Sequence, residues 1–173
     1  MFDRHLKLFK LICDKSSETA VSKFLLKYNK TISVAESCTG GLLSSLLTDV
    51  SGSSGYIHAN FVTYANEAKM KYLGVSKDTL DTYGAVSQQT AQEMVKGLLH
   101  NTESDYAIAT TGVAGPNGGT AEKPVGLVYI AIGSKNAIQV YKYNVEQTYP
   151  RLLIKYMFAK HALKLLADFL KGI

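Results

Sequence analysis

TISVAESCTGGLLSSLLT, Thr31 to Thr48, reads as a strand, a turn and a helix in immediate succession. Thr31 to Ala35 is short and β-branched, whereas Thr39 to Thr48 repeats leucine at 42, 43, 46 and 47, the spacing of one helical face. The junction is Ala35-Glu36-Ser37-Cys38-Thr39-Gly40-Gly41. A short side chain there stands at the edge of a sheet, where the first amides of a helix point outward. That suits an attacking hydroxyl or a bound anion. The same residues also suit an ordinary helix cap with glycines for close packing, and by themselves they leave both readings open. No Gly-x-Ser-x-Gly elbow is present, and Cys38 is a rival nucleophile without an obviously placed His and Asn to partner it.

Working outward, Phe2 to Asn29 carries leucine and phenylalanine at helical spacing, and Ser16 and Ser17 divide it into two helices with a new N-cap. After the loop Ser51 to Gly55, Tyr56 to Tyr64 predicts a strand, and Asn66 caps a helix that Gly74 closes after Leu73. Ser76 to Tyr83 predicts a further helix, and Ser87 caps Gln88 to His100. Tyr106 to Thr110 predicts a buried strand, and Thr111 to Pro124 a long glycine-rich loop. Val125 to Ile132 and Ala137 to Val145 predict adjacent strands around a turn at Gly133 to Asn136, and Arg151 to Leu170 the last helix. Strands alternating with helices predict an α/β fold, a three-layer α/β/α sandwich whose central sheet is mixed but mostly parallel. One domain is expected over residues 1–173, with Met1 to Lys15 a helical extension.

The 173 residues are 46% hydrophobic and 19% charged, the composition of a folded globular chain with a full core. Charges interrupt the first residues where a signal peptide needs an apolar run, and no later stretch is long enough to cross a bilayer, so a cytoplasmic protein with no membrane partner is expected. Two cysteines, Cys13 and Cys38, are too few for a disulfide framework. The net charge of +5 is dispersed along helical patterns and forms no nucleic-acid motif, so no nucleic acid is expected; a small phosphorylated ligand fits it. His5, His58, His100 and His161 lack ligand spacing, so no metal is expected. Small α/β enzymes often self-associate, but no interface signature specifies a homo-oligomer.

Two further constellations bear on chemistry. Tyr64-Ala65-Asn66-Glu67-Ala68-Lys69 ends a strand and opens a helix. Lysine acts as a general base only where burial or a neighbouring cation lowers its pKa, and a solvent-facing lysine is the plainer reading of that motif. The run TTGVAGPNGGTAEKPVG, Thr110 to Gly126, brings backbone amides to a phosphate or oxyanion without obstruction by side chains, or else makes a surface excursion; its length favours function. Arg151 opens the last helix, where the macrodipole disfavours a cation unless an anion joins it.

AESCTGG, the Gly-Ser-Ser run near residue 52, FVTYANEAK, LGV, GAVS and TGVAGPNGGTAEKPVGLVYIA follow one another in the order and spacing of one family. The chain resembles the CinA C-terminal-domain family from about Ser17 to Leu170. Its stand-alone members include nicotinamide mononucleotide deamidases of the PncC type. The resemblance implies a Ser/Lys amidohydrolase in pyridine nucleotide recycling, with Ser37 as nucleophile, Lys69 as base and Tyr64 as its helper. It further implies substrate contacts at Glu36, Cys38, Thr39, Gly40, Gly41, Asn66, Thr111, Gly112, Gly115 and Arg151, and no cofactor. Nicotinamide mononucleotide would yield nicotinate mononucleotide and ammonia, with the oxyanion held by amides near Ser37 and Cys38 or Gly112. The chain departs from the family at Tyr149-Pro150-Arg151, where Gly-Asp-Arg is usual, and at Lys155, where arginine is usual; a stand-alone form without the larger family's N-terminal nucleotide-processing domain is expected. The competing implication is a catalytically silent nucleotide-binding protein with a regulatory role in competence or the DNA damage response.

Overall fold

Ile32–Glu36 forms β1, which is buried along its whole length because the sheet continues on both of its sides. The computed structural model describes residues 2–172, and of residues 2–5, 7 and 8 the backbone alone. Before β1 come helices α1 (Phe2–Cys13) and α2 (Ser16–Lys27); after it α3 (Leu42–Thr48), a 3-10 turn (Ser53–Gly55) and β2 (Ile57–Val62). Then follow α4 (Asn66–Leu73), α5 (Lys77–Tyr83), α6 (Gln88–Thr102), β3 (Tyr106–Gly112), β4 (Leu127–Ser134), β5 (Ile138–Asn144) and α7 (Arg151–Lys171).

The sheet order is β2-β1-β3-β4-β5. β1 pairs in parallel with β2 and β3, while β4 runs antiparallel to both β3 and β5. Only β4 therefore opposes the common direction, and the sheet is the mixed, mostly parallel one expected. Alternation along the strands sends Val34, Ile108, Ile130 and Ile132 to a core under α2, α3 and α7. The intervening Ala35, Ala107, Ala109 and Ala131 face α4, α5 and α6, and their small side chains let α6 lie close to the sheet. Within that layer Gly97 is required: a Cβ there would stand 1.8 Å from the Leu73 carbonyl oxygen at the end of α4. The outcome is a three-layer α/β/α sandwich, and α1 packs along α7. No helix among the described residues is long and apolar enough to cross a membrane.

Local chemistry sets the boundaries, with three corrections. Ser76 and Ser87 cap α5 and α6 through their hydroxyls, which accept from the amides of Thr79 and Thr90. The serine cap expected for α2 is replaced by Asp14, whose carboxylate accepts from the Ser16 amide at 2.9 Å; an anion suits the positive helix start better. Asn66 is the first helical residue of α4 rather than its cap, since the Lys69 amide already bonds to the Ala65 carbonyl. α3 begins at Leu42, three residues later than expected, because Gly40 and Gly41 adopt left-handed φ values of 62° and 93°.

The strand order reverses beside β1: the chain leaves it towards β2 and later returns to its other side as β3. The carboxyl ends of these three parallel strands therefore release the Ser37 turn, the Thr63-Tyr64 segment and the glycine loop at one edge, where open α/β sheets leave a crevice for ligands.

Candidate active site

Thr63 and Tyr64 leave β2 immediately before α4, and the first turn of α4 folds the Lys69 side chain back over them. Lys69 is fully buried, and its Nζ lies 2.8 Å from the Thr63 carbonyl oxygen, 3.2 Å from that of Tyr64 and 3.1 Å from Ser37 Oγ. None of these partners is an anion. Burial without a counter-ion pushes the Lys69 ammonium below its ordinary pKa. A neutral amine has two N–H donors and one lone pair, which is the requirement of two carbonyl acceptors and one serine hydroxyl. Ser37, half-buried at the end of β1, thus has its hydroxyl against an amine whose pKa burial lowers.

Backbone bonds tie the turn that carries Ser37 to β3 and to itself. The Ser37 amide donates to the Thr110 carbonyl at 3.1 Å, and the Gly40 amide to the Ser37 carbonyl at 3.2 Å. The amide of Ser37 is therefore already bonded and cannot serve an oxyanion as expected. Among the described residues the Thr39 amide has no protein acceptor, and the Cys38 amide none but its own thiol.

Several expected contacts lie beneath the crevice instead of in it. The Glu36 carboxylate is buried under α3, where Gly41 and Leu43 amides donate to one oxygen and the Ser44 amide and hydroxyl to the other, at 2.6–3.0 Å. It holds the protein rather than a ligand. The Thr39 hydroxyl is paired with that of Thr110 at 2.8 Å, and the Thr111 hydroxyl donates to the Ala85 carbonyl at 2.7 Å, both in the interior. The Cys38 thiol is also enclosed, and desolvation pushes its pKa up to about 12, which disqualifies it as a thiolate nucleophile near neutral pH.

Tyr64 differs from its expected part. It reaches Lys69 through its carbonyl, while its exposed hydroxyl accepts from Arg151 Nη2 at 3.1 Å. Arg151 also donates through Nη1 to the Gly115 carbonyl at 2.5 Å, which ties the glycine loop to the start of α7. Asn66 is exposed at the start of α4, and Gly112 ends β3 so close to β4 that a Cβ on it would lie 2.4 Å from the Leu127 carbonyl oxygen. A cavity of about 320 Å³ between glycine loop and α7 opens beside Arg151, lined by Pro116, Val125 and Tyr149 among others. A larger hollow of about 880 Å³ lies by Lys30, Lys135 and Phe169 at the opposite end of the strands, away from Ser37.

Two lysines outside the expected site residues bear on the site's surroundings; Lys155 stands where the resemblance leads one to expect arginine, and hence a changed phosphate affinity or subunit contact. Lys155 stands over the Ser37 turn: a Cβ on Gly40 would lie 3.2 Å from its Nζ, and no carboxylate pairs with it among the described residues. Its position one helical turn after Arg151 was the available signal, since residues four apart share a helix face. Lys123, near the end of the glycine loop, donates to the Tyr83 carbonyl at 2.5 Å and so latches that loop to the end of α5. No group of three or more His, Cys, Asp or Glu among the described residues is arranged to hold a metal.

The family model of the CinA C-terminal domain matches residues 14–170. The chain is 45% identical over 161 residues to a CinA-like protein of Chloroherpeton thalassium, covering 92% of this chain and 38% of that protein. It is 46% identical over 154 residues to a CinA-like protein of Syntrophomonas wolfei subsp. wolfei, covering 89% and 36%. The chain thus spans 36–38% of the length of these curated relatives. Its fold matches the crystal structure of competence/damage inducible protein CihA from Agrobacterium tumefaciens with a TM-score of 0.85 at 40% identity, over 91% of this chain and 96% of that one. A CinA superfamily protein from Klebsiella pneumoniae matches with a TM-score of 0.86 at 30% identity, over 92% and 98%.

Proposed function

This chain belongs to the CinA C-terminal domain family, and we propose that it is an amidohydrolase that converts nicotinamide mononucleotide to nicotinate mononucleotide and ammonia. The observation that carries the reading is the buried amine of Lys69, bonded to two carbonyls and 3.1 Å from the hydroxyl of Ser37. A purely structural lysine gains little from such a place, because burying its charge without an anion is costly.

In the proposed reaction neutral Lys69 takes the proton of Ser37 as Oγ attacks the carboxamide carbon of the substrate. The tetrahedral oxyanion is met by the amides of Cys38 and Thr39, which no carbonyl or carboxylate engages among the described residues. Lys69 then returns the proton to the departing nitrogen, and ammonia leaves an acyl ester on Ser37. Water, deprotonated by the same amine, opens that ester and restores the hydroxyl. Arg151 and Lys155, both without a carboxylate partner among the described residues, flank the turn and suit the phosphate of the nucleotide. Tyr64 acts by orienting Arg151 and by lending Lys69 its carbonyl.

The test is ammonia release from nicotinamide mononucleotide by the purified protein, beside Ser37→Ala and Lys69→Ala variants checked for folding. Turnover in the wild type and its loss in both variants are expected. A folded wild type without turnover would move the reading to a silent nucleotide-binding module.

A further inference from the structure

We infer that Glu36 is a positioning residue, whose buried carboxylate closes the base of the Ser37 arch and so fixes the placement of Ser37 Oγ relative to the turn's amides. The inference rests on the Ser37 reading above. Glu36 is fully buried, and its four bonds all come from the far foot of the arch: Gly41 N and Leu43 N at 3.0 Å, Ser44 N at 2.8 Å and Ser44 Oγ at 2.6 Å. The near foot is pinned to β3 by the Ser37 amide on the Thr110 carbonyl and by the paired hydroxyls of Thr39 and Thr110. The crown is closed by the Gly40 amide on the Ser37 carbonyl.

A cap for a seven-residue helix needs only a neighbouring hydroxyl, whereas this acceptor reaches across the turn from the end of the strand. It carries a charge into the interior with no cation bonded to it among the described residues. What that arrangement adds over an ordinary cap is a fixed span between Glu36 and Gly41, and with it the geometry of the intervening crown. Because an error of about 1 Å in a reacting group costs up to about a hundredfold in rate, a span held by several ionic hydrogen bonds is a catalytic asset.

Glu36→Gln keeps the volume but leaves at least one amide of α3 without its acceptor and weakens the other bonds. Glu36→Asp keeps the charge but shortens its reach. Ser44→Ala, the control, removes one hydroxyl bond and leaves the three backbone bonds in place. The readout is the rate at which a fluorophosphonate probe phosphonylates Ser37, with fluoride displaced, followed by intact mass at a temperature where all variants are folded. Nicotinamide mononucleotide turnover is measured beside it. Both Glu36 variants are expected to label about tenfold more slowly or worse, with KM for the nucleotide within about twofold, and Ser44→Ala to label within about twofold of wild type. Equal labelling by wild type and both Glu36 variants, or no labelling of wild-type Ser37, overturns the inference. Normal labelling without nucleotide hydrolysis overturns the substrate proposed above and leaves the arch standing.

Discussion

Replacing Lys69 by methionine separates the cost of the buried amine from its use. Methionine fills a similar volume and removes Nζ, so the carbonyls of Thr63 and Tyr64 lose a donor, at about 1 kcal/mol each. Against that loss stands the relief of an amine held without an anion, which is several kcal/mol wherever the amine is charged. The balance depends on pH, and its sign follows from protons bound. Burial lowers the folded pKa of Lys69 below the ordinary 10.5, so between the two values the unfolded chain binds the additional proton. Wild-type stability therefore rises with pH through that window, by up to about 1.4 kcal/mol per pH unit, and is lowest relative to the variant below the folded pKa. Urea titrations of both proteins at steps from pH 6 to 10 measure the difference. Lys69→Met is expected to be inactive throughout, at least as stable as wild type near neutrality, and to lose that advantage towards pH 10. A stability difference that stays constant across the series would falsify the account of Lys69 as a base kept neutral by burial. The activity of the wild type should rise with pH along a limb set by the same depressed pKa.

Cys38→Ala should keep turnover within about threefold, since its thiol, pushed up to about 12, stays protonated; iodoacetamide at pH 8 should alkylate exposed Cys13 and spare Cys38, as peptide mass spectrometry would show. Lys155→Met should raise KM for nicotinamide mononucleotide about tenfold or more and leave KM for nicotinamide riboside unchanged, because only the former carries a phosphate; equal effects on both would remove Lys155 from the phosphate. Lys160→Met should cost about 3–5 kcal/mol by urea unfolding, because it strips the buried Glu18 carboxylate of an ion pair at 2.5 Å while its other oxygen already lacks a partner.

The fold was legible because its signals are local. Leucines at helical spacing announced α3, hydroxyl caps announced α5 and α6, and the β-branched runs announced β1, β3, β4 and β5, so the sandwich followed from alternation alone. What eluded the reading depends on partners remote in sequence. Arg151 meets the Tyr64 hydroxyl 87 residues away, and nothing in the spacing of either motif announces that bond. Lys155 stands over Gly40 because α7 packs beside α3, whose entering turn carries Gly40, a fact of tertiary packing and not of periodicity. The parts of Glu36 and Thr39 were misjudged for a related reason. Their neighbours in the chain are candidate site residues, but the period of two in β1 turns Glu36 inward with Val34 and Ile32, under α3, while the turn after it leaves Ser37 half-buried.

That parity organises the chemistry. Sequence adjacency places a carboxylate, a hydroxyl and a thiol at 36, 37 and 38, and the end of a strand sends them to different surroundings. Glu36 goes under the helix, where amides satisfy its charge. Cys38 is enclosed, where desolvation keeps it a thiol. Only the hydroxyl of Ser37 meets an amine, and that amine is itself held by the carbonyls that end the neighbouring strand. A carboxylate in place of those carbonyls would pair with Lys69, raise its pKa and leave it protonated, so the neutrality of the second layer is as necessary to the base as its burial. The cations that could recruit an anionic substrate sit on α7 and not beside Lys69, so they can draw the substrate in without a carboxylate that would charge the base. An aspartate at position 63 (Thr63→Asp), where the Thr63 side chain is buried on the residue whose carbonyl Lys69 bonds, should therefore depress activity at neutral pH far more than at pH 10, whereas a lost substrate contact would depress both alike.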